Sequence, residues 1–215
     1  MPMARIGYSF SQYRTGSIAV ALAAIPNDFF SVITAGHHTS GILQAILGSG
    51  QPVGAHLDDP TDIDRQRSLW AAKLDHAILR AERPVLLVAR GQSCFAATWW
   101  ARLSPRDYIA RVAGALFIDP LEADGAAAAR FASPRIRLPF PSLLLNGESP
   151  DSDAVRRAQA LALEWGGALD SAPRTEALSR WQGAREFVMR MTAGVVDRRA
   201  QAAGALAAAL HAPKD

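Results

Sequence analysis

The chain has 215 residues, 49% of them hydrophobic, and a formal net charge of +3. That is enough for one sizeable core and too little for two ordinary domains with a linker, so a single domain over 1–215 is expected, with residues 1–28 as an N-terminal extension whose structure the pattern leaves open. Only Lys73 and Lys214 are lysines among the 23 basic residues, and the arginines are scattered without interleaved aromatics, so no nucleic-acid binding is expected. Cys94 is the one cysteine, which excludes an internal disulfide, and the histidines and carboxylates do not fall at metal-ligand spacing. No metal and no cofactor are expected.

At the N-terminus, Arg5 and Arg14 precede the apolar run Ile18 to Ile25, and Ala21-Leu22-Ala23 has the small-x-small form of a leader cleavage site. A helix packed on the domain explains the same residues, and the run is short, so a cytoplasmic protein is expected over a secreted one. No segment has the uninterrupted apolar length of a membrane span.

From residue 29 the pattern alternates between apolar runs and amphipathic stretches. Phe29 to Thr34 predicts a strand ending in Ala35-Gly36, and Ser40 to Leu47 a helix closed by Gly48. Residues 52 to 56 predict a short second strand. After Asp58-Asp59-Pro60, Thr61 caps a helix that runs to about Arg83, with Trp70, Leu74 and Ile78 on one face. Pro84 to Ala89 is apolar without alternation, as a strand buried on both faces requires. Arg90-Gly91-Gln92-Ser93 then turns into a helix over Cys94 to Leu103. Gly114 to Ile118 gives another buried strand, stopped by Asp119-Pro120, and residues 121 to 140 a helical excursion followed by a Pro-punctuated loop. Ser142 to Asn146 is a strand, Ser152 to Trp165 a helix stopped by Gly166-Gly167, and Ala168 to Ser171 a last short strand. The tail from Arg180 to His211 is helical, with a frayed Ala-rich end. Such alternation predicts an α/β fold: a mostly parallel twisted sheet with right-handed crossovers and helices on both faces. Ligands of such sheets bind at the carboxyl ends of the strands, which directs attention to the loops after Thr34, Ala89, Ile118 and Asn146.

The run from Ala55 to Trp100 carries more detail: Asp58-Asp59-Pro60, a helix with Trp70 and Leu74-Asp75, the strand Pro84 to Ala89, a turn with Cys94, and Trp100 downstream. Phe131, Leu138-Pro139-Phe140-Pro141-Ser142, Ala160-Leu161-Ala162 with Trp165-Gly166, and Trp181 continue the set. Together, over roughly residues 30 to 190, they resemble the retinoblastoma-binding-protein/YdeN group of small serine hydrolases. The resemblance implies an α/β-hydrolase-like three-layer sandwich and a nucleophile elbow after the central strand, usually His-Ser-x-Gly-Cys. Here those positions hold Arg90-Gly91-Gln92-Ser93-Cys94, which puts Gly91 where the nucleophile belongs. The small residues Ala89 and Ser93, two before and two after, suit the close turn an elbow requires.

A second register takes Gly91-Gln92-Ser93-Cys94-Phe95 as the G-x-S-x-G motif with Ser93 as nucleophile, at the expense of Phe95 where a small residue belongs. The plain reading of Ser93 is a helix-start serine whose hydroxyl caps backbone N–H groups. The family's acid position matches Ser149, with Glu148 and Asp151 as neighbouring carboxylates, and its histidine position falls in Ser171 to Glu176, which has no histidine. The only histidine beyond the elbow is His211, near the C-terminus. The turn Gly36-His37-His38, with Ser40, stands where the resemblance implies an oxyanion donor and a ligand-sized recess. These readings imply a catalytically inactive or impaired member of the fold that binds a small molecule or a protein partner, the competing reading being an active hydrolase built on Ser93.

Overall fold

The computed structural model describes residues 29–48, 53–60, 64–122, 125–146, 152–170 and 181–211. The expectations placed on residues 1–28, on Glu148, Ser149 and Asp151, and on Ser171 to Glu176 lie outside those residues.

One six-stranded parallel sheet forms the middle layer. In chain order its strands are β1 (Ser31–Ala35), β2 (Val53–Leu57), β3 (Val85–Arg90), β4 (Val112–Ile118), β5 (Ser142–Leu145) and β6 (Ala168–Asp170), and in space they run β2-β1-β3-β4-β5-β6. Between them lie α1 (Thr39–Leu47), α2 (Asp64–Arg80), α3 (Gln92–Leu103), the single-turn α4 (Arg106–Ile109), a 3-10 turn at Pro120–Glu122, α5 (Gly125–Arg130), α6 (Ser152–Trp165) and, at the end, α7 (Gln182–His211).

Strand alternation divides the core in two. Ile33, Leu87, Ala89, Phe117 and Leu144 project to the face covered by α2, α3 and α6, where they meet Trp70, Leu74, Ile78, Trp100 and Trp165. Val32, Leu86, Val88, Leu116, Leu143 and Leu145 project to the other face, against Leu43 and Ile46 of α1 and Phe187, Val188 and Met191 of α7. The three-layer arrangement is therefore present, and β3 sits inside the sheet with Val85 to Ala89 fully buried.

Boundaries differ from the sequence reading where local chemistry overrides the apolar pattern. The second helix stops at Arg80 rather than near Arg83. Pro84 restricts the residue before it to extended backbone, and Arg111 bridges the gap by donating to the carbonyls of Ile78, at 3.1 Å, and Ala81. Helix α3 starts at Gln92, two residues earlier than its apolar run, because the turn is completed within Gly91. The tail helix continues to His211 with no break at its Ala-rich end, as alanine's helix propensity favours. From Val196 to Ala205 every residue of it is exposed.

Long polar side chains fix the loops. Arg102, almost wholly buried, donates to Ile136 O at 2.8 Å and Ser133 Oγ at 3.0 Å and pairs with Glu164 at 3.4 Å, tying the Pro-rich loop to α3 and α6. Trp100 donates its indole N–H to Asp75 at 2.8 Å, and Trp70 donates to the carbonyl of Asp58 at 2.9 Å.

Leu87→Asp places an unpaired carboxylate between two packed layers, at a penalty of several kcal/mol against a total stability of about 5–15 kcal/mol. The variant is expected to be insoluble or unfolded by circular dichroism, and a wild-type melting temperature would contradict the buried position of β3.

Candidate functional site at the strand ends

The chain leaves β1 to one side to form β2 and returns across β1 to form β3. With right-handed crossovers this reversal puts α1 and α2 on opposite faces and opens a crevice between the carboxyl ends of β1 and β3. Two turns line it. The first, after β1, has Gly36 at φ +92 and His38 at φ 56, and the Gly36 N–H donates to Leu57 O at 3.0 Å. The second, after β3, has Gly91 at φ 57 and ψ −129, and its N–H donates to Ile118 O at 3.0 Å.

The turns touch. A Cβ added to Gly36 would lie 2.7 Å from the Arg90 carbonyl oxygen, 3.2 Å from Asp59 Oδ1 and 3.4 Å from Ser93 Oγ, so only a glycine allows this approach. A Cβ added to Gly91 would instead meet nothing within 4 Å. Gly91 therefore turns the chain sharply from strand to helix with its side-chain direction facing open space. It is flanked by the buried small residues Ala89 and Ser93 and followed by the Gln92 and Ser93 N–H groups, for which the helix offers no carbonyl one turn earlier, while the Cys94 N–H donates to Gly91 O at 3.2 Å.

Ser93 is wholly buried, and its hydroxyl donates to Asp59 Oδ1 at 2.6 Å. The expectation that it caps α3 is corrected: Gly91 is the N-cap, without a side-chain bond, and the Ser93 hydroxyl turns to the loop after β2 because a carboxylate there is the stronger acceptor. The other oxygen, Asp59 Oδ2, lies 3.1 Å from His37 Nε2, whose side chain is 72% exposed against 15% for Asp59. Ser93, Asp59 and His37 thus form a chain of contacts in which the carboxylate is central. The order differs from a Ser-His-Asp relay, in which the imidazole stands between the other two.

Asp59 carries the site, yet the sequence reading placed it only within the Asp58-Asp59-Pro60 motif and not among the candidate site residues. There it read as punctuation before a helix. The available signal was its place just after β2, at the carboxyl end of the sheet. Asp119, with φ 48 just after β4, and Arg90, at the end of β3, pair at 3.6 Å. Arg130 donates to Gln92 Oε1 at 3.4 Å, and Arg67 donates to Arg130 O at 2.7 Å while lying 5.1 Å from the centre of the Trp99 ring. Arg67 and Arg130 approach from α2 and α5, a long-range juxtaposition with no sequence signal.

Of the residues expected at the site, Gly36, His37, Arg90, Gly91 and Ser93 converge, whereas Ser40 lies exposed on the first turn of α1. Cys94 lies inside the core, donating to the carbonyls of Ala89 at 3.3 Å and Ile118 at 3.6 Å, and burial pushes its thiol well above the usual range. Three cavities lie elsewhere: one of about 600 Å³ between the β2 edge and α2, and two of about 420 and 460 Å³ at the amino ends of the strands beside α7. None of these three is lined by Gly36, His37 or Gly91. Among the described residues, no group of three histidine, cysteine or carboxylate side chains could hold a metal ion, and no helix is long and apolar enough to cross a membrane.

A protein-family model described as serine hydrolase matches residues 43–184, which take in β2 to β6, the turn at Gly91 and the start of α7. No curated protein and no solved structure matches the chain.

Two measurements check this geometry. Gly91→Ala should lose about 1–3 kcal/mol, the cost of a side chain at φ 57 and ψ −129 alone, whereas Gly36→Ala adds a collision with the Arg90 carbonyl to a positive-φ cost of its own and should lose more. Urea denaturation separates the two, and equal losses would mean that the turns do not touch. Cys94 is expected to resist Ellman's reagent in the native protein and to react at once in guanidinium chloride.

Proposed function

Because this chain belongs to the serine hydrolase family, we propose that it keeps the family's strand-end site but uses no serine as a covalent nucleophile, and that it acts by binding a small molecule in that site. The observation that carries this is Gly91. The residue at the sharp strand-to-helix turn, with its side-chain direction toward open space, is the one from which an elbow nucleophile acts, and it has no side chain.

Against Ser93 stand its complete burial and its bond to a carboxylate rather than an imidazole. A serine hydroxyl without a base to take its proton is a poor nucleophile at neutral pH. The sequence supports the same reading at the other two positions, since Ser149 stands at the family's acid position and no histidine lies between the elbow and His211. What remains is a cradle of backbone N–H groups at the start of a helix, beside a crevice where sheets of this kind take ligands.

The test is activity-based labelling. Native protein is expected to take up no fluorophosphonate, by gel and by intact mass. Labelling lost in Ser93→Ala would make Ser93 the nucleophile, and labelling that survives that substitution would point to another serine; either overturns the proposal. For binding, a screen of small carbonyl and carboxylate compounds by protein-observed NMR should give hits that vanish in Gly91→Phe, which fills the space above the elbow.

A further inference from the structure

His37 is an exposed imidazole at this site, and it is held as a base is held. Its Nε2 lies 3.1 Å from Asp59 Oδ2, and a neutral imidazole that donates from Nε2 to this carboxylate has its lone pair on Nδ1. Asp59 cannot turn away, because its other oxygen accepts the Ser93 hydroxyl at 2.6 Å. The loop that carries Asp59 is fixed in its turn by the Trp70 indole on the Asp58 carbonyl, at 2.9 Å, and by the buried ring of Pro60. Meanwhile the turn bearing His37 leans on the elbow through Gly36, whose added Cβ would stand 2.7 Å from Arg90 O.

Three other histidines are placed differently. His56 Nδ1 is engaged by Thr34 Oγ1 at 2.7 Å, and His76 stands exposed on α2, on the wall of the cavity beside β2. His38 forms the positive-φ residue of the turn itself. A buried serine spent on orienting a carboxylate, which in turn orients an exposed imidazole, has no evident use in packing.

We propose that His37 is a general base at this site, with Asp59 and Ser93 as positioning residues, and that the protein hydrolyses activated carboxylic esters by direct attack of water. The proposal rests on the reading above that no serine acts as nucleophile. In the step, a water oxygen forms its bond to the ester carbonyl carbon while one of its protons passes to Nδ1 of His37. The carbonyl oxygen, now anionic, faces the N–H groups at the start of α3. Collapse of the adduct reforms the carbonyl, breaks the ester C–O bond and releases the leaving group as an alcohol or phenol once it takes up the proton from the imidazolium. Carboxylic acid and alcohol are the only products, and no acyl-enzyme forms.

The probe is p-nitrophenyl acetate with the full chain. Wild-type protein is expected to release p-nitrophenolate steadily above the buffer rate, without an initial burst, and with a normal solvent deuterium isotope effect. General-base assistance is worth roughly 10²–10⁴-fold, so His37→Ala should lower kcat by about 10²-fold at the exposed end of that range, and added imidazole should restore part of it. His37→Gln repeats the test if the alanine variant folds poorly. Asp59→Asn should lower kcat with little change in KM, and Ser93→Ala should do so less; His76→Ala should leave the rate as it is. Turnover no faster than buffer, equal rates in wild type and both His37 variants, or an equal loss in His76→Ala would each overturn the proposal. A burst with fluorophosphonate labelling would sink the non-covalent reading, whereas an unlabelled protein indifferent to His37 would sink this inference alone.

Discussion

The approach of the Gly36 turn to the Arg90 carbonyl governs the carboxyl end of this sheet. Parallel strands stand a fixed distance apart, and the loops that leave them must diverge or share the space above. Here the reversal of strand order sends α1 and α2 to opposite faces, so that the two loops could part, yet a missing Cβ lets them meet. That contact brings residues from the ends of β1, β2 and β3 into one cluster although up to 34 positions separate hydrogen-bonded partners such as Asp59 and Ser93. The turn at Gly91 is complementary: its φ is positive as well, but it opens outward. One turn uses glycine to close a gap, and the other leaves one open.

The fold was legible because buried parallel strands write themselves as uninterrupted apolar runs. Residues 84 to 89 could hardly be anything else, and β3 occupies them with a shift of one position. The helix at Ser152–Trp165 was readable to the residue, since an acidic first turn and a Gly-Gly stop mark both ends. Less was legible where a few residues decide. The single turn Arg106–Ile109 has no buried residue and so no periodicity to read. Ends such as Arg80 and Gln92 are set by a proline and by a glycine turn rather than by hydrophobicity.

The site was half legible. Its glycines and histidines were visible because such residues stand out at the ends of strands. The role of Ser93 was not, because a hydroxyl takes whatever acceptor is best placed, and that acceptor comes from a different loop. Asp59 was hidden for the converse reason: a carboxylate before a proline and a helix has an ordinary local explanation. Arg67 and Arg130 converge on Trp99 and Gln92 from separate helices, and such convergence is a property of tertiary packing that no window of sequence contains.

The long terminal helix has a consequence of a different kind. At 30 residues it measures about 45 Å, while the longest strand, of seven residues, spans about 23 Å, so the helix outruns the sheet that supports it. Among its described side chains Val195 is the last that is buried, and the ten residues that follow are exposed. Those turns are held by the low conformational entropy of alanine and by continuation from a packed segment that has already nucleated the helix, not by contacts of their own. Amide protection should therefore decline stepwise beyond Val195, each turn opening independently of the core, so that this end of the chain behaves as a reporter of intrinsic helix propensity attached to a cooperatively folded base.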